Sequence, residues 1–164
     1  MSPPVCIQRS EETVMADSPN RAQPTVELLN RQRLVSLDID ALRRRLNRAL
    51  PLCLRESADG SYALGNLDEV VVSLVSDRRI AQIHRDFMDI RGATDVITFA
   101  HGDIVISAET AQRSAFDYGH STMEEVALYM VHGLLHLNGF LDGTECERSA
   151  MFAVQNRIWQ QSRD

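Results

Sequence analysis

Residues 121–139 restrict this chain more than any other stretch. Ser121 is a side-chain cap and Glu124 stands three residues on, which reads as a capping box opening a helix. The segment then runs through Val126, Ala127, Leu128, Met130, Val131, Leu134, Leu135 and Leu137 to Gly139. A helix this apolar belongs in the interior, yet it carries His132 and His136. At i and i+4 the two imidazoles project from one face and can bind one metal ion. Unpaired imidazoles in such surroundings are costly unless ligated or hydrogen-bonded. Gly139 accepts a left-handed backbone, ending the helix and turning the chain back. Asp142, six residues past the second histidine, can then approach the same ion. Two imidazoles and a carboxylate leave a coordination position for water, as catalytic zinc requires. Glu145 and Cys146 are nearby reserve ligands should Asp142 point away.

The rest of the chain reads as support for that helix. With 164 residues and 44% hydrophobic content it suffices for one compact domain. Periodicity and caps predict a strand at 25–29 and a helix within 37–57 capped by Asp38. A loop at 57–66, a strand at 67–75 and a helix at 77–87 follow. Short strands at 96–99 and 103–107 come next, then a helix from Ser107 through 118 ended by Gly119. After the histidine helix, a last helix covers 144–161 with Met151, Val154, Ile158 and Trp159 inward. The fold class is therefore α/β (α+β): a single domain, residues 25–164, with a small mixed sheet and helices packed on it. The metal site lies on a helix and the turn after it. Residues 1–24 mix Pro, Ser, Glu and Arg without periodicity and read as a disordered extension.

All 17 basic residues are arginine, and the formal net charge is −6. That balance excludes a protein that coats nucleic acid by bulk attraction. Arg43, Arg44, Arg45 and Arg48 fall mostly off the apolar stripe of their helix and read as a solvated face. The three cysteines (6, 53 and 146) are widely spaced with no CxxC pair, which argues against a disulfide scaffold. No secretory pattern opens the sequence and no apolar run approaches the roughly 20 residues of a membrane span. A soluble cytoplasmic monomer with no membrane partner is the expectation.

The histidine spacing matches H-E-x-x-H-x-x-G-x-x-H metalloproteases with two differences. Gly133 stands where those enzymes carry their glutamate base, and Asp142 replaces the third histidine. Loss of the base counts against ordinary peptide hydrolysis. Three further matches are more specific: Thr94-Asp95-Val96-Ile97-Thr98-Phe99, then Gly102-Asp103-Ile104-Val105-Ile106-Ser107, then His132-Gly133-Leu134-Leu135-His136-Leu137-Asn138-Gly139-Phe140. In that order they resemble the YbeY family of bacterial metal-dependent endoribonucleases. The resemblance implies a zinc-binding α/β domain that cuts single-stranded RNA at the 3′ end of small-subunit rRNA during ribosome assembly and quality control. It implies one Zn2+ on His132, His136 and Asp142, with ribosomal proteins or assembly GTPases as possible partners. Two positions depart from the family pattern. Its usual third histidine falls on Asp142 and the preceding aspartate on Leu141. An arginine it often carries six residues before the T-D-V motif falls on Met88. Arg91 is the substitute named here as catalytic phosphate contact, with Arg85 close by. Of the lone histidines His84, His101 and His120, His101 is the one expected to line the cleft. Two other functions compete: a zinc metalloprotease-like hydrolase, and a non-catalytic ribosome-assembly factor with a structural metal.

Overall fold

The computed structural model describes residues 23–163. Residues 1–22 of the expected N-terminal extension, Cys6 among them, lie outside the described residues. The elements run β1 (Thr25–Asn30), α1 (Ile39–Leu54), β2 (Glu69–Val75), α2 (Asp77–Met88), β3 (Val96–Thr98), β4 (Asp103–Ser107), α3 (Ala108–Tyr118), α4 (Thr122–Leu137) and α5 (Glu145–Gln161). One 3-10 turn, Ala63–Asn66, interrupts the loop expected between α1 and β2. The sheet order is β1-β2-β4-β3. β1, β2 and β4 are parallel, and β3 returns antiparallel on the outer side of β4. This is the small mixed sheet that the sequence implies.

Strand alternation decides which helix packs where. Leu28, Val70, Val72, Leu74, Ile104 and Ile106 face one side and join α1, α4 and α5 in the main core. Val75, Ile97 and Val105 face the other side and meet Ile80 of α2 in a smaller cluster. α4 is the central helix, with ten of its residues buried. Its approach to the sheet needs Gly133: a Cβ there would lie 2.6 Å from Ile104 Cγ2 and 2.9 Å from Ile104 Cδ1. The glycine at the glutamate position of the protease motif is thus a packing contact with β4. Among the described residues no helix is long and apolar enough to cross a membrane.

The caps follow the sequence, with one exchange. Asp38, Ser76, Ser107 and Ser121 each accept a backbone N–H in the first turn of the following helix. The reciprocal capping box, however, is at Thr144 and Glu147 of α5. Glu124 instead turns its carboxylate to Arg45 at 2.9 Å and Arg163 at 3.3 Å. Arg45 is likewise no solvated residue. It is 8% exposed, and its Nη2 donates to the Trp159 carbonyl at 2.9 Å. Arg48 donates from Nε to the Ser162 carbonyl at 2.8 Å. The last carbonyls of a helix lack intrahelical partners, and guanidinium groups supply donors there. Two of the four arginines of α1 therefore tie the end of α5, while Arg43 and Arg44 stay exposed.

Candidate metal centre

His132 and His136 occupy one face of α4, one turn apart. Each is held by an oxygen acceptor on its Nδ1. His136 Nδ1 donates to the Phe140 carbonyl at 2.9 Å. That carbonyl is delivered by the helix terminus: Gly139, at φ +90°, takes the left-handed backbone after Asn138. The Gly139 and Phe140 amides then bond back to the His136 and Leu135 carbonyls, forming a Schellman end. His132 Nδ1 donates to Oε1 of Gln155 at 2.7 Å. Gln155 comes from α5 and is 6% exposed.

With Nδ1 as donor, a neutral imidazole turns its Nε2 lone pair toward the cleft, and the two Nε2 atoms are 3.0 Å apart. Oδ2 of Asp142 lies 3.5 Å from the Nε2 of His136 and 3.8 Å from that of His132. A tetrahedral zinc with bonds near 2.0–2.1 Å sets its ligand atoms about 3.3 Å apart, and the three separations bracket that spacing. Two lone pairs facing each other beside a carboxylate repel unless a cation stands between them. Burial pushes the His132 imidazole below its ordinary range, and neighbouring His136 adds to the effect. The donor set thus fits a divalent ion. Each imidazole is oriented through its other nitrogen, as metal-binding imidazoles commonly are.

These three residues line an open cleft of about 790 Å³. Val96, Ile97 and Thr98 of the edge strand β3 line it too, with Thr94 and Asp95 before them. Asp59, Ser61 and Ala63, from the loop after α1, close another side. Asn138 holds that loop in place. Fully buried, it accepts from the Leu64 amide at 3.1 Å and donates to the Cys53 and Glu56 carbonyls.

A family model described as Endoribonuclease YbeY matches residues 27–163. The chain belongs to the YbeY family. It is similar to Endoribonuclease YbeY of Brevibacillus brevis, 32% identical over 148 residues, covering 76% of this chain and 91% of that protein. It is similar also to Endoribonuclease YbeY of Geobacillus kaustophilus, 40% identical over 109 residues, covering 55% of this chain and 70% of that one. The solution structure of a Thermotoga maritima protein shares the fold: TM-score 0.59, 21% identity, 84% of this chain and 89% of that chain covered.

In this YbeY-family chain, His132, His136 and Asp142 meet at one point, and the same three form a potential metal-binding group. Glu145 and Cys146, the reserve ligands, are not in it. Met88, where the family often has arginine, lines the cleft. Among the described residues no arginine lines it. Arg91 is exposed, in the loop that joins two lining residues, Met88 and Thr94. Arg85 is exposed on α2, 3.8 Å from Asp86. Ala100 lines the cleft but His101 does not; it is exposed and bonds Asp103 at 2.9 Å. His84 bonds the Gly92 carbonyl, and His120 packs edge-on against Trp159.

Sequence reasoning missed Gln155. A signal existed: it lies four residues after Met151 and three before Ile158, a polar side chain within the inward stripe of α5. Replacing it frees the His132 ring to rotate. Gln155→Leu is expected to weaken zinc affinity about 10–100-fold, the usual effect of losing such a partner. Competition titration against a chromogenic chelator measures it, with wild-type affinity as the contrary result.

Proposed function

We propose that this chain is a single-strand-specific, zinc-dependent endoribonuclease that matures the 3′ end of small-subunit rRNA. What carries the reading is the convergence of three ligand atoms beside an open cleft, in a member of an endoribonuclease family. Two nitrogens and one oxygen suit zinc, and only three protein ligands leave room for water. When bound, the ion supplies Lewis acidity toward a phosphoryl oxygen and a water of lowered pKa. The chain does the positioning. Gln155 and the Phe140 carbonyl keep both Nε2 lone pairs aimed at one point, and Asp142 adds the negative charge. The edge strand β3, which lines the same cleft, offers a wall for an RNA strand. Arg91, exposed in the loop between the lining residues Met88 and Thr94, would contribute a phosphate contact.

The test compares single-stranded RNA with casein as substrates for the zinc-loaded chain. RNA cleavage with intact casein is expected. Casein cleavage with intact RNA would instead favour the protease-like reading. Binding to small-subunit particles with no cleavage of RNA would favour a structural metal. Two variants probe the altered ligand. Asp142→Ala is expected to weaken zinc binding about tenfold or more, whereas Asp142→His retains both metal and cleavage.

A further inference from the structure

Three rings stand in a row beside the cleft. Phe87, near the end of α2, packs edge-on against Phe99, with centroids 5.3 Å apart and planes at 76°. Phe99 lies against His101, with centroids 5.6 Å apart and planes at 28°. His101 is steadied by its 2.9 Å bond to Asp103. The inner ring packs on the smaller core cluster. The outer two face solvent: Phe87 is 71% exposed and the His101 side chain 68%. None of the three rings lines the metal cleft, but each is next in sequence to a residue that does. Met88 follows Phe87, Thr98 and Ala100 flank Phe99, and all three line the cleft.

Electrostatics shows why such rings matter here. The chain carries −6, and among the described residues the cleft is lined by Asp59, Asp95 and Asp142 and by no arginine. A polyanion gains little from that field. Affinity for a nucleic acid must then draw on contacts indifferent to charge. Stacking of a base on an aromatic ring is such a contact. It also selects single strands, because a paired base is already stacked within its helix.

We propose that Phe87, Phe99 and His101 form a stacking platform for an unpaired nucleobase of the strand lying across the metal cleft. Phe99 is the supporting rung, and Phe87 and His101 are the rungs a base can reach. The proposal rests on the endoribonuclease reading above. Its test uses the zinc-loaded full chain and a short single-stranded RNA carrying 2-aminopurine, whose fluorescence falls on stacking. The quench is read in the mixing burst, before turnover.

Phe87→Ala and His101→Ala are each expected to raise KM for single-stranded RNA about tenfold, within the range of losing one stacked base. The same changes leave kcat within about twofold. In the double variant the 2-aminopurine quench disappears. Phe87→Trp and His101→Phe keep wild-type KM. RNA affinity falls only shallowly with salt, as for one or two neutralised phosphates. Zinc content and Tm stay at wild-type values, since both rings are solvent-facing. Alanine variants with wild-type KM and full quench overturn the platform, and so does a wild-type chain that shows no quench. Failure of the wild-type chain to cleave RNA overturns the nuclease reading instead, and the burst reads the platform separately.

Discussion

Replacing His132 and His136 together with alanine is expected to abolish metal binding and RNA cleavage at once. Wild-type protein should carry about one zinc per chain, and the double variant close to none. Each histidine supplies a nitrogen held in one orientation from behind, so its loss removes a ligand that no neighbour can replace. Asp142, with its side chain 49% exposed, cannot hold an ion alone. The fold should survive. Both imidazoles face the cleft, alanine is the best helix former, and α4 keeps its contacts through Val126, Met130, Leu134 and Leu135. Circular dichroism would then be unchanged. A ligand that binds only the native state stabilises it, by about 2.7 kcal/mol at a hundred times its dissociation constant. Zinc should accordingly raise the Tm of wild type and leave that of the double variant where it was. Full ribonuclease activity in the double variant would end the metal-dependent reading.

The second large effect concerns Gly133. Restoring the glutamate of the protease motif there, Gly133→Glu, is expected to prevent folding rather than create a base. The added Cβ alone would collide with Ile104 on the fully buried sheet face, and a carboxylate beyond it would be buried without a partner. Gly133→Ala is the milder form. Overpacking of this kind costs about 1–3 kcal/mol, read as a Tm lower by several degrees. Ile104→Val removes the Cδ1 methyl, one of the contacted atoms, and should recover part of the loss when combined with Gly133→Ala. A double-mutant cycle measures that coupling. Additive effects of the two substitutions would show that α4 and β4 are not in the contact described.

Much of the site was legible because its decisive contacts are local. The i,i+4 spacing alone puts two imidazoles on one face, and a glycine three residues later turns the chain toward Asp142. Serine, threonine and aspartate caps marked the helix starts for the same reason, since each bonds an amide within its own first turn. Where a side chain had a choice of partners, local pattern failed. Glu124 had the spacing of a capping box but found Arg45 and Arg163. Arg45 had the look of a surface charge but found the open carbonyl of Trp159, 114 residues away. Both follow from the same physics, because unsatisfied groups at helix ends attract whichever partner the packing brings near.

The sequence by itself determined the order of elements, the class of fold, the candidate metal group His132, His136 and Asp142, and the family. These depend on periodicity, caps and short spacings, which act within a few residues. Only the tertiary structure decided what surrounds the ligands. It brought Gln155 from α5 behind His132, and made Gly133 a contact with Ile104. It also lined the cleft with no arginine among the described residues and set Phe87, Phe99 and His101 in one row. Each of these joins segments separated along the chain. Their meeting depends on how helices and sheet pack, which no local pattern of residues specifies.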